Sequence, residues 1–227
     1  MGAGMLRKLV AEALGTAGLM AAVTGSTLMG ERLAAGAATG LLVSSLVTGG
    51  ALVVLLTLLI PVSGGHLNPA VTLMAGLRRE IAVPAALAYG AAQVLGAVAG
   101  VATAHLMFDL PAFTLSTLPR DLPSLWLSEA IATAGLIFVI LGGSAARGPV
   151  PALVGAYIAA AFWFTASTGF ANPAMTIART LTDSAAGLRP QDLPAYLLAQ
   201  VAGALAGYAL GHWLFGKEKP PGLADGG

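Results

Sequence analysis

Charge is what this sequence lacks most. Only 9% of its 227 residues are Asp, Glu, Lys or Arg, against roughly 25% in a soluble domain. A surface so poor in charge does not stay dispersed in water, so the chain reads as an integral membrane protein with the lipid bilayer as its first partner. The formal net charge is +1, which gives no basis for a nucleic-acid partner or a polybasic surface. Cysteine is absent, which excludes disulfides and thiolate chemistry. No nucleophile–base set and no metal-ligand spacing appears, so no catalytic residue, metal or cofactor is assigned and the chain is not read as an enzyme. What is abundant is apolar residues, at 57%, and glycine, at 30 residues. Both suit membrane helices that pack closely.

A spanning helix needs ~20 mostly apolar residues. Six windows qualify: Leu9 to Leu28, Leu41 to Ile60, Pro84 to Leu106, Leu125 to Leu141, Pro151 to Thr168 and Pro194 to Phe215. Two shorter apolar pieces remain, Asn68 to Leu77 and Asn172 to Leu181. Each is about ten residues, ~15 Å as a helix, or half of a ~30 Å hydrocarbon core.

The chain is an internal duplication. "AEALGTAGLM" at Ala11 returns as "SEAIATAGLI" at Ser128, matching Glu12 to Glu129. "HLNPAVTL" at His66 returns as "FANPAMTI" at Phe170, and "AQVLGAVAG" at Ala92 returns as "AQVAGALAG" at Ala199. One channel domain over 1–227 is expected, with repeats at about 5–108 and 123–216 and a disordered tail over 217–227. Three crossings per repeat is odd, so the second repeat enters the membrane inverted. Arg7 and Lys8 before the first apolar run imitate a signal peptide. Glu12 inside that run, and its recurrence at Glu129, argue against cleavage. Lys and Arg are denser on the N-terminal side of the expected topology, at Arg7, Lys8, Arg78, Arg79, Arg147, Lys217 and Lys219, which places both termini in the cytoplasm.

Asn68-Pro69-Ala70 and Asn172-Pro173-Ala174 open the two short pieces. Asn caps a helix through its side-chain oxygen, and Pro suits the first helical position. Both short helices are expected to meet tip to tip near the midplane. Their positive ends would oppose cations and protons, and the Asn NH2 groups would donate toward the pathway. Glu12 and Glu129 are costly in a membrane helix. They suit either proton coupling or, given their symmetry, acceptance from loop N–H groups. His105 and His212 match across the repeats and suggest packing rather than metal binding. Gly96 with Gly100, and Gly203 with Gly207, suggest close helix crossings.

"SGGHLNPAVTL" at Ser63, together with the second Asn-Pro-Ala, resembles the aquaporin and glycerol-facilitator family over nearly the whole chain. That resemblance implies an all-α membrane channel of six transmembrane helices and two re-entrant half-helices, assembled as a homotetramer with one pore per subunit. It implies passage of water or small uncharged solutes and exclusion of protons and ions. It also implies that Asn68 and Asn172 are the paired pore asparagines, that His66 lines the inner pore, and that Glu12 and Glu129 brace the loops.

The sequence departs from the family at the outer constriction. The family's Arg directly follows the second Asn-Pro-Ala, whereas this chain has Met175. By family spacing the other filter positions fall on Thr48, on Ala160 or Ala161, and on Gly169 or Phe170. Small residues and a flexible Met predict a wider, less polar opening. Arg179 lies four residues after Met175, so it either reaches back to the filter or anchors the outer loop through carbonyls or Asp183. The expected substrates are water, glycerol and arsenite or other neutral metalloid hydroxides. A mainly water-selective channel is the alternative, and an ion-coupled secondary transporter is the alternative of another class. The expected location is a bacterial inner membrane.

Overall fold

Proline sets where most of the helices begin. The structure, a computed structural model, describes residues 2–216, so the expected tail over 217–227 lies outside the described residues. The helices are α1 (Ala3–Arg32), α2 (Ala37–Ser63), α3 (Pro69–Leu77), α4 (Val83–Met107), α5 (Pro123–Ala145), α6 (Val150–Phe164), α7 (Pro173–Ala178) and α8 (Leu193–Phe215). From α3 to α8 each has Pro in its first two positions, where no N–H is needed and φ is already helical. The fold is all-α, and no strand occurs among the described residues.

Among the described residues, five helices are long and apolar enough to cross a membrane. The sixth, α6, has 15 residues, or ~22 Å, and ends four residues short of the expected Thr168. The cause is local. Thr165 turns extended, with φ −109° and ψ 138°. Its N–H and its hydroxyl both go to the Ala161 carbonyl, and Thr168 and Gly169 take positive φ. Ala171, just before Asn172, is left-handed as well. The second short piece also differs from expectation: α7 has six residues and tightens into a 3-10 turn over Arg179–Leu181.

Glycine governs how closely the helices cross. α4 packs on α1 and α8 packs on α5. A Cβ at Gly96 or Gly100 would run into the carbonyls of Ala13 or Ala17 on α1. One at Gly203 or Gly207 would run into those of Ala130 or Ala134 on α5. The repeats meet where α2 crosses α6. There a Cβ at Gly49 would stand 2.8 Å from the Gly155 carbonyl oxygen, and one at Gly155 would stand 2.6 Å from that of Gly49. The outside of the bundle is apolar, with Leu14, Leu58, Leu87, Leu95 and Leu198 exposed. Hydrocarbon suits that surface and water does not.

Candidate functional site

The loops leading into α3 and α7 carry backbone groups that no regular structure satisfies. Their dihedrals match position by position: φ is 92° at Gly64 and 67° at Thr168, 60° at Gly65 and 59° at Gly169, 49° at Leu67 and 47° at Ala171. Each loop is held by one buried carboxylate. Glu12 accepts from the Ser63 hydroxyl (2.6 Å), the N–H groups of His66 (2.9 Å) and Leu67 (2.6 Å), and the Gln93 amide (2.8 Å). Glu129 repeats the pattern with Ser167 (2.6 Å), Phe170 (2.8 Å), Ala171 (3.0 Å) and Gln200 (2.6 Å). Four bonds saturate each carboxylate, and neither Glu lines the central cavity. A coupling ion would need an open carboxylate, which neither Glu12 nor Glu129 offers.

Asn68 and Asn172 cap α3 and α7. The Asn68 Oδ1 accepts from the Ala70 N–H at 2.8 Å, and the Asn172 Oδ1 from the N–H groups of Ala174 (3.1 Å) and Met175 (3.4 Å). Their NH2 groups do something the sequence did not suggest. Asn68 donates to the Ala171 carbonyl at 2.7 Å and Asn172 to the Leu67 carbonyl at 2.8 Å. The positive φ at Leu67 and Ala171 turns those carbonyls toward the opposite half. An amide has two N–H donors, so one ties the repeats together and one remains for the cavity that both Asn residues line.

That cavity runs between the repeats. One wall is Thr48, Leu52, Leu56 and Ile60, a single face of α2; the facing wall is Val150, Val154, Ile158 and Phe162, a single face of α6. Spacing by four residues aligns side chains on one helix face. Leu19 and Val23 of α1, with Leu136 and Ile140 of α5, complete the apolar lining. His66 stands at one end, its Nδ1 3.0 Å from the Thr72 hydroxyl. A second cavity meets the first at Val23, Phe162 and Arg179, and a third shares His66 with it.

The expected filter residues do not all arrive at the cavity. Thr48, Gly169, Phe170, Met175 and Arg179 line it. Ala160 is a correction: it is exposed on α6 and lies off the lining. Ala161 is buried, packed where a Cβ on Gly169 would strike it, and the α6 side chain that reaches the cavity is Phe162. Ala160 stands two residues before Phe162 and so lies off the face that Val150, Val154, Ile158 and Phe162 share. Arg179 does not pair with Asp183, whose carboxylate takes the N–H and hydroxyl of Thr117. Its Nη1 donates to the Ala186 carbonyl at 3.0 Å, and its guanidinium carbon lies 3.8 Å from the centre of the Phe170 ring.

Sequence reasoning missed Gln93 and Gln200. Each lies within the duplicated "AQV" block, and a buried amide in an otherwise apolar helix was the available signal. Both also donate to a half-helix threonine, Thr72 at 3.0 Å and Thr176 at 2.8 Å. Arg120, on the connection between repeats, was also missed. It donates to the carbonyls of Ser167 (3.3 Å), Ala185 (3.1 Å) and Gly187 (2.8 Å), and it lies 5.0 Å from the Phe170 ring centre. His105 bonds the Pro111 carbonyl and the Thr182 hydroxyl, both at 2.8 Å, which makes it a packing residue. His212 is exposed and stacks on Tyr208.

Comparison with known proteins agrees with this architecture. The chain is 49% identical over 217 residues to the aquaglyceroporin AqpS of Rhizobium meliloti (strain 1021), covering 95% of this chain and 93% of that protein. It is 32% identical over 208 residues to nodulin-26 of Glycine max, covering 89% and 75%. The X-ray structure of the aquaglyceroporin from Plasmodium falciparum superposes with a TM-score of 0.70 at 23% identity, over 93% of this chain and 96% of that one, and so shares the fold. The sequence profile described as major intrinsic protein matches residues 2–148. With two half-helices capped by paired asparagines around one cavity, and with relatives this similar along nearly its full length, the chain belongs to the major intrinsic protein family.

Proposed function

We propose that the protein is a passive channel whose main solutes are water and glycerol, with arsenite and other neutral metalloid hydroxides as further cargo of the same chemistry. The observation that carries this reading is the central cavity between the repeats, apolar along α2 and α6 and polar at the two asparagines. A solute there loses most of its water. The spare N–H of Asn68 and of Asn172 offers donors to an oxygen at the narrow centre. The positive end of α3 raises the cost of a cation at the same place. Apolar walls give a neutral, partly apolar solute little reason to stay, which suits fast passage.

Two aromatic side chains, Phe162 and Phe170, stand near Arg179 on this lining. The opening is therefore narrower than Thr48, an alanine and Met175 alone would leave, and this observation keeps the water-selective reading alive as the second choice. The same proposal takes one pore per subunit of a homotetramer in a bacterial inner membrane, with both termini cytoplasmic. The apolar exterior and the excess of Lys and Arg on the side of the termini support it.

Stopped-flow light scattering on proteoliposomes separates the readings. Faster shrinkage in sucrose and faster re-swelling in glycerol and arsenite, relative to empty vesicles, are expected. Water flow without glycerol flow would select the water channel, and neither flow would end the channel proposal.

A further inference from the structure

A groove opens where α3, α5 and α8 end together, and it shares no lining residue with the central cavity. Its volume is about 600 Å³, within the ~300–1,000 Å³ of small-ligand sites. The lining is of two kinds. Arg78, Arg79 and His212 are polar and exposed, and Leu77, Leu141 and Phe215 are apolar. Arg78 pairs at 2.6 Å with Glu80, also on the lining, whereas Arg79 has no carboxylate partner among the described residues. The groove therefore keeps a positive charge in excess. The helix ends do not consume it. Met74, Ala75 and Gly76 of α3 accept from the N–H groups of Arg78, Glu80 and Arg79, and Gly142 and Gly143 of α5 accept from those of Ala146 and Gly148. His212 stacks on Tyr208 with ring centres 5.5 Å apart, which holds its imidazole at the groove. Because α5 and α8 both end here after a span's length, the groove stands where hydrocarbon gives way to headgroups. Trp213, 78% exposed on the last turn of α8, suits that level.

We propose that this groove binds the head of one anionic phospholipid, with Arg79 as the main phosphate contact. Arginine donates to phosphate through a planar fork, so one side chain supplies two bonds. Arg78 joins it by exchanging Glu80 for the phosphate, and His212 offers a ring N–H to a headgroup oxygen. Leu77, Leu141 and Phe215 receive the first carbons of the chains. A free phosphate has the same charge chemistry but leaves those three residues without a use, which is why the lipid is favoured as the source. In the orientation proposed above this is the cytoplasmic leaflet, where anionic lipids attract basic segments beside a span. The inference rests on the membrane reading of the chain and is independent of which solute passes through it.

The test melts the full-length protein in detergent micelles carrying increasing mole fractions of phosphatidylglycerol. A saturable rise in melting temperature is expected. Diacylglycerol, which has the chains without the phosphate, and inorganic phosphate at matched ionic strength are each expected to give none. Arg79→Gln is expected to raise the half-saturating mole fraction about fivefold, as loss of one interfacial arginine implies. Arg147→Gln is the control. Arg147 ends α5 with the same left-handed backbone as Arg79, φ 52° against 60°, but lies off the groove, and its loss is expected to leave the titration unchanged. If Arg79→Gln already melts low without lipid, native mass spectrometry decides: fewer phosphatidylglycerols retained per chain than in the wild type support the site, and an equal number overturns it. Equal weakening by both arginine variants would mean diffuse surface attraction and would overturn the proposal. So would a gain from inorganic phosphate or from diacylglycerol as large as that from phosphatidylglycerol, or no saturable gain in the wild type. None of these outcomes bears on solute flux, so the site and the channel reading fail separately.

Discussion

At the scale of single residues, the two buried glutamates show how a membrane interior tolerates charge. Glu129 is fully buried and accepts four hydrogen bonds. Removing it strands two backbone N–H groups, a hydroxyl and an amide. Stranded partners cost ~1–3 kcal/mol each, so Glu129→Ala is expected to lower the melting temperature in detergent sharply or to abolish the folded peak in size-exclusion chromatography. Gln200→Leu, which removes one donor and leaves the loop N–H bonds, is expected to cost only ~1–3 kcal/mol. A Glu129→Ala protein that melts like the wild type would refute the bracing role. The role was legible in the sequence because Glu12 and Glu129 repeat. The partners Ser63, Ser167, Gln93 and Gln200 were not, because nothing in one-dimensional spacing brings α1 beside α4 at that depth.

At the scale of elements, helix identity and helix contact were legible to different degrees. The apolar windows, their prolines and the two Asn-Pro-Ala starts fixed which segments are helical, since each signal acts within a turn. The ends were less legible: α6 stops at Phe164 because of bonds from Thr165 and a left-handed loop, and within α6 the face of Val150, Val154 and Ile158 carries Phe162, not Ala160, to the cavity. Phe162→Ala should therefore widen the mouth and raise glycerol permeability several-fold more than water permeability; equal changes in both would argue against a size restriction at this residue. Glycine contacts give a second expectation. Gly203→Val forces a side chain onto the Ala130 backbone and should destabilise by ~1–3 kcal/mol or more. Gly90→Ala meets nothing within 4 Å and should leave the detergent melting temperature unchanged or slightly higher. Equal melting of the two variants would show that the α5–α8 crossing is looser than its geometry implies.

At the scale of the whole molecule, the two halves are fastened across the centre by reciprocal amide bonds, Asn68 to Ala171 and Asn172 to Leu67. Each asparagine caps its own half-helix and bonds the opposite loop, so the two sites share one network. Networks of this kind show non-additive mutant energies of ~0.5–3 kcal/mol. Asn68→Ala and Asn172→Ala are expected to couple when melting in detergent is compared for the single and double variants. Strict additivity would mean that the halves are held independently.

The sequence by itself determined the membrane class, the duplication, the order of the main helical segments, the caps at Asn68 and Asn172, and the presence of a charged side chain one turn beyond Met175. These rest on composition, on local capping chemistry and on internal repetition, all readable along the chain. Only the tertiary structure decided that the asparagines cross-link the repeats, that Phe162 rather than Ala160 meets the cavity, and that Arg179, on the lining of that cavity, lies over Phe170. The cross-links depend on backbone turns at Leu67 and Ala171 and on contacts between segments about a hundred residues apart, and the other two depend on which helix and loop faces turn inward, which three-dimensional packing alone sets.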